Sequence, residues 1–211
     1  LYIKFLKHVI DFIVALLGCI LLSPVFLIIM LAIKIDSRGP IFFKQKRVKK
    51  GKDLFNILKF RTMYIETPKD APTHTLANPD QYITKVGRFL RKTSLDELPQ
   101  LFNILMADMA VIGPRPALYN QHDLIAERDK YGANDVRPGL TGWAQINGRD
   151  ELPIEAKAKL DGEYVEKMGV AMDLKCFFGT VASVLKGKGV VEGGTGALAS
   201  QKAKEEEVTV K

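Results

Sequence analysis

The chain has 211 residues, 47% of them hydrophobic, and a formal net charge of +7. That length holds one domain of ordinary size plus a single apolar segment. Two cysteines, one of them inside the apolar run, and three scattered histidines exclude a disulfide scaffold and a Cys/His zinc site.

From Phe12 to Ile33 there are 22 residues without a charge. At roughly 1.5 Å per residue a straight helix of that length spans about 33 Å, enough for a bilayer core of about 30 Å. The run is too long for a signal-peptide core, and no small-x-small cleavage site follows it. The sequence begins at Leu1 rather than Met, which reads as a trimmed start. Lys4 and Lys7 precede the run, and Lys34, Arg38, Lys44, Lys46, Arg47, Lys49, Lys50 and Lys52 follow it. The positive-inside tendency places both flanks on the cytoplasmic side, which a straight span cannot satisfy and a hairpin can. Ser23 and Pro24 supply a break: Pro24 has no N–H for the Ile20 carbonyl, and a serine hydroxyl can satisfy the freed backbone group. These residues leave two readings open, a re-entrant hairpin with arms of about 11 residues and a kinked single pass.

PIFFKQKRV (40–48) and LFNILKFRTM (54–63) are expected to form two strands around KKGKD, with Gly51 at the turn. Residues 66–81 hold three prolines and read as a loop. TKVGRFLRK (84–92) is basic and amphipathic, and SLDELPQLFNIL (94–105) has helical spacing. VIGPRPAL (111–118) reads as a rigid connector, 121–131 as a short surface helix and 136–153 as a structured loop carrying the only tryptophan. EAKAKLDGEYVEKM (155–168) is a soluble-type helix. In 173–189, Leu174, Phe177, Phe178, Val181, Val184 and Leu185 form one apolar face, either core or an interfacial helix. The tail from Glu192 is expected to be poorly ordered.

DELP occurs twice, at Asp96–Pro99 and Asp150–Pro153. At the first copy, Asp96 can cap a helix with Pro99 in its first turn, or Ser94 and Glu97 can form a capping box. Its setting also admits chemistry. Arg88, Arg91 and Lys92 lie just upstream, and Gly113-Pro114-Arg115-Pro116 follows. An arginine between two prolines is aimed with little entropy left to lose, which suits a phosphate. Carboxylates beside several cations, next to an apolar hairpin, point to magnesium and a diphosphate substrate. The second copy reads as a cap.

LLSP, KFRTM, SLDELPQLFNIL, VIGPRP and VRPGLTGWAQINGRDELP, in this order, resemble the bacterial sugar transferases, small monotopic polyprenol-phosphate phosphoglycosyl transferases. The resemblance runs from the N-terminus to about Gly189. It implies a helix-rich α/β fold, a monotopic membrane protein with a re-entrant helix-break-helix at Ser23-Pro24, a short β-hairpin and interfacial amphipathic helices. It divides the chain into a membrane hairpin (1–36), a catalytic domain on the cytoplasmic face of the inner membrane (37–191) and a tail (192–211).

The implied reaction moves a sugar-1-phosphate from a UDP-sugar to polyprenol phosphate and releases UMP. By resemblance Asp96 is the nucleophile, Glu97 assists the polyprenol phosphate, and both carboxylates hold Mg2+. Arg91 and Arg115 are implied phosphate binders, with Lys59 and Arg61 of KFRTM beside them. Asp161 matches an acidic position near the family's site, and Gln145, Asn147 and Arg149 are assigned to the nucleotide-sugar pocket. Sugar choice is assigned to 66–81, 117–135 or the glycine-rich segment. Two alternatives remain: direct displacement with Asp96 and Glu97 as metal ligands only, and a membrane-anchored protein binding anionic lipid or nucleic acid. The expected partners are a UDP-sugar, polyprenol phosphate and membrane lipid, with no nucleic acid.

Overall fold

The computed structural model describes residues 2–67, 79–148 and 152–185. Most of the expected 66–81 loop, residues 186–189 of the last expected helix, the tail, Arg149 and the Asp-Glu pair of the second DELP lie outside the described residues.

A short π-helical turn, Tyr2–Leu6, leads into α1 (Lys7–Leu21), and α2 (Ser23–Asp36) follows after the single non-helical residue Leu22. Ser23 donates its hydroxyl to the Ile20 carbonyl at 2.8 Å, the acceptor that Pro24 leaves without a backbone partner. The two helices bend by 62° across this break. Neither is long and apolar enough to cross a membrane alone, whereas the bent pair passes that test together. The arms are longer than the expected 11 residues because the helix continues into the polar flanks, to Lys7 on one side and Asp36 on the other.

Each arm buries one stripe and exposes the other. Ala15 of α1 is fully buried and Gly18 lies against Leu101, while Phe26, Ile29 and Ile33 form the inner stripe of α2. Leu22 packs against both clusters, so the break is held by the domain beneath it. On the outer faces Leu21, Leu27, Ile28, Leu31 and Ile35 are exposed, each by more than 60%. So large an apolar area left in the open calls for a partner other than water.

The expected hairpin is present. β1 (Phe42–Val48) and β2 (Leu54–Phe60) pair antiparallel, Phe42 opposite Phe60 and Val48 opposite Leu54, and Gly51 takes φ 74° in the connection. Phe60 joins the hairpin to α2: Phe42 stacks on it at 5.6 Å and Phe26 of α2 meets it edge-on at 5.4 Å.

The expected single helix over 94–105 is divided. α3 (Lys85–Thr93) ends at Ser94, which adopts a left-handed conformation (φ 57°); Leu95–Glu97 form one 3-10 turn; α4 (Gln100–Leu105) begins after Pro99. α2 packs on α3 and α1 on α4, so the two arms support the two helices that flank the 3-10 turn.

The connector at 111–118 begins with a strand that the sequence pattern did not reveal. β3 (Ala110–Ile112) pairs in parallel with β4 (Gly139–Thr141). Three residues are too few to show an alternation, and a parallel partner far along the chain leaves no local mark. Gly139 and Gly142 are needed here: a Cβ on either would lie 2.1 Å from a backbone atom of Gly113. The remaining helices are α5 (His122–Asp129), α6 (Trp143–Ile146), α7 (Ile154–Glu166) and α8 (Val170–Leu185). On α8, Leu174, Phe177, Phe178 and Val181 are exposed, so among the described residues its apolar face is surface and not core. Cys19 and Cys176 are both free.

Lys7, which the sequence shows only as a charge flanking the apolar run, is 6% exposed and bonds Asp173 of α8 at 2.6 Å. Asp173 also accepts from Tyr2 and Tyr164, at 2.6 and 2.7 Å. Asp11, one turn along from Lys7, accepts from Arg137 at 2.7 Å and from the Val111 N–H at 3.1 Å. Two cations and two carboxylates thus form a neutral buried network that fixes the root of α1 to β3 and α8. A Lys-Asp pair at i,i+4 was the only local trace of it.

Candidate active site

The 3-10 turn presents adjacent carboxylates in different settings. Glu97 Oε1 accepts from Lys59 Nζ at 2.8 Å and from Arg115 Nη2 at 2.8 Å, and Arg115 Nη1 stands 3.5 Å from Oε2. Those two cations hold its carboxyl well below the usual range despite its burial. Asp96 has no hydrogen bond among the described residues, and burial pushes its carboxyl up, against the opposing pull of Lys59, Arg91 and Arg115. No side chain caps either helix end here: neither Ser94 nor Pro99 makes a side-chain cap bond, so both capping readings of the first DELP are corrected. The left-handed residue at Ser94 ends α3 and turns the pair away from the helix axis.

Each partner arrives on a different element. Lys59 comes from β2, Arg91 from the last turn of α3 and Arg115 from the loop after β3. Asn103 of α4, fully buried, sets the β2 register against this turn. Its amide accepts from Leu58 N–H and donates to the Asn56 carbonyl, both at 2.9 Å, as a third strand would. The sequence reading passed over Asn103; a polar residue inside the apolar face of 98–105 was the available signal.

The other expected site residues separate. Arg61 is spent on the turn after α2, where it donates to the Ser37 carbonyl at 2.7 Å, to the Ser37 hydroxyl at 2.8 Å and to the Arg38 carbonyl. Its guanidinium thus fastens the turn after α2, whereas the sequence reading has it beside phosphate. Asp161 is 1% exposed and grips Arg128 Nε and Nη2 at 2.8 and 2.6 Å. Arg128 in turn lines a small cavity with Pro114 and Pro116. Asp161 therefore braces the Pro-Arg-Pro loop through Arg128, whereas the sequence reading has it among the binding residues.

Gln145 has both amide atoms buried without a partner among the described residues and lies against Gly142, which touches Gly113 at the root of the same loop. Asn147 is exposed and donates to the Trp143 carbonyl at 2.8 Å, closing α6. Arg149 lies outside the described residues.

Among the described residues no cluster of three or more His, Cys, Asp or Glu could hold a metal by itself. Magnesium does not require one: it keeps several waters and takes one or two carboxylates plus substrate phosphates. Asp96, with no hydrogen bond to break, fits that role, and Glu97 retains the oxygen that Arg115 holds only at 3.5 Å.

The sequence model of a family described as "Bacterial sugar transferase" matches residues 2–187. "Uncharacterized sugar transferase EpsL" of Bacillus subtilis is 42% identical over 188 residues, covering 88% of this chain and 90% of that protein. "Undecaprenyl-phosphate glucose phosphotransferase" of Komagataeibacter xylinus is 37% identical over 187 residues, covering 83% of this chain and 35% of that protein. "UDP-glucose:undecaprenyl-phosphate glucose-1-phosphate transferase" of Escherichia coli is 38% identical over 191 residues, covering 84% and 40%. The chain thus spans between a third and two fifths of the length of those last two relatives, and nearly all of the Bacillus one.

Proposed function

From a chain that belongs to the bacterial sugar transferase family, we propose a phosphoglycosyl transferase that moves a sugar-1-phosphate from a UDP-sugar to undecaprenyl phosphate. The observation that carries this reading is the division of labour within the carboxylate pair. Glu97 is neutralised by Lys59 and Arg115, while Asp96 keeps its oxygens uncommitted among the same cations.

An Asp96 oxygen attacks the β-phosphorus, and the bond from phosphorus to the bridging oxygen breaks with its electron pair leaving on UMP. The sugar-phosphate remains on the enzyme as an acyl phosphate. An oxygen of undecaprenyl phosphate then attacks the same phosphorus, and the Asp96 carboxylate departs unchanged. Arg115 and Lys59 offset the diphosphate charge, and Glu97 orients both cations before substrate arrives. Mg2+, when bound at Asp96 and Glu97, supplies further neutralisation of the leaving phosphate.

The bent helix pair completes the reading. We place its exposed outer faces, and the exposed apolar face of α8, in the cytoplasmic leaflet of the inner membrane. Substrate lipid then stays in the bilayer while its phosphate reaches Asp96.

Mass spectrometry of the protein incubated with Mg2+ and a panel of UDP-sugars, without undecaprenyl phosphate, tests the chemistry. A sugar-phosphate adduct on the peptide containing Asp96 is expected. Turnover with the lipid but no adduct for any sugar would replace the covalent route by direct displacement.

The topology has its own test. Pro24→Ala returns a backbone donor to Ile20 and is expected to straighten the break, moving engineered cysteines at one end of the pair out of cytoplasmic labelling reach. Unchanged labelling at both ends would show that Leu22 packing and flanking charge, not the proline, hold the bend.

A further inference from the structure

Gln100 carries a cost that the fold does not explain. It is 1% exposed, and among the described residues neither its amide oxygen nor its amide nitrogen has a hydrogen-bond partner. An unpaired buried amide forfeits its hydration and gains nothing in return, so such groups are rare in folded proteins. Asn103, one turn further on, shows the alternative: equally buried, it makes two bonds to β2.

The backbone says where the Gln100 amide belongs. Residues 95–102 are continuously wound, with Leu98 N–H bonded to the Leu95 carbonyl, Leu101 to Leu98 and Phe102 to Pro99. Side chains on a right-handed helix lean toward its N-terminus and cover the turn before their own. Gln100 stands three residues after Glu97 and four after Asp96, so its base adjoins the carboxylate turn. Glu97 is already held by two cations. Asp96 is the carboxylate on that turn whose side chain has no hydrogen bond among the described residues.

We propose that Gln100 is the positioning residue for Asp96: its amide N–H donates to the carboxylate oxygen that does not attack, once substrate fills the site. Hydrogen bonds at catalytic groups are commonly long in the empty site and tighten when it is loaded. The contact fixes the carboxylate plane, aims the second oxygen at phosphorus and persists on the carbonyl oxygen of the acyl phosphate. It then eases departure of the carboxylate in the second half-reaction. The proposal rests on the covalent reading above and concerns a residue that reading does not use.

Gln100→Met keeps the length and bulk and removes both polar atoms. For a positioning amide the variant should unfold at the same or a higher temperature than wild type, because a stability cost has been removed. With the UDP-sugar accepted by wild type, its kcat should fall by about tenfold or more while KM stays within about twofold. A lowered unfolding temperature would mean the amide is paired in the folded protein and would overturn the proposal. So would turnover within about twofold of wild type, or a loss confined to KM, which would make Gln100 a binding residue. Failure of the covalent reading registers separately: wild type would show no adduct on Asp96 whatever the Gln100 variant does, and the proposal would go with it.

Discussion

Asp96→Asn is expected to lower UMP release below about 0.1% of wild type, because an amide cannot act as the nucleophile toward phosphorus. Folding should survive. Asp96 pays for its charge in burial and in repulsion from Glu97, and it forms no hydrogen bond among the described residues that an amide would break. The variant should therefore match wild type in unfolding temperature and fail to acquire the sugar-phosphate adduct. Glu97→Gln differs in kind: it removes the negative charge that Lys59 and Arg115 share and leaves one acceptor oxygen, so the site loses electrostatic organisation as well as a carboxylate. Retained turnover in Asp96→Asn, with the protein folded, would remove Asp96 from the nucleophile role.

Lys7→Met should produce the largest loss of stability. It leaves Asp173 and Asp11 buried with one cation, Arg137, between them, and breaking a buried ion pair from one side costs about 3–5 kcal/mol. Adding Asp173→Asn should recover a substantial part of that loss, since the neutral amide can still accept from Tyr2 or Tyr164. Denaturant unfolding of both variants, followed by a far-ultraviolet signal, measures the difference. Equal stability of Lys7→Met and wild type would mean the network is satisfied by water and does not fasten α1.

The contrast between these residues shows what a sequence exposes and what it conceals. The apolar run, its Ser-Pro break, the Gly51 hairpin and the cations around the first DELP were legible because each is written over a few consecutive residues. The serine bond to Ile20 follows from what proline removes, and the structure contains it. The roles of Asp161, Arg61 and Lys7 were not legible. Their partners lie 33, 24 and 166 residues away, and charge alone does not distinguish a ligand-facing arginine from one that ties two segments together. β3 and β4 were hidden for the same reason, since their pairing is non-local and each is only three residues long. The division of the 94–105 helix turns on the left-handed backbone of Ser94, a conformation serine adopts without advertising it.

The 62° bend has a consequence for lipid organisation. It leaves the two arms, of 15 and 14 residues, open at about 118°. With arms about 22 Å long, a symmetric V of that opening sinks only about 11 Å, less than half of a hydrocarbon core of about 30 Å. Seated this way the protein adds cross-sectional area to one leaflet and none to the other. Such a wedge relieves packing stress where that leaflet is convex, so occupancy should be greater on small vesicles than on large ones at equal lipid area. On the re-entrant seating proposed above, the same bend would also make the chain a sensor of curvature.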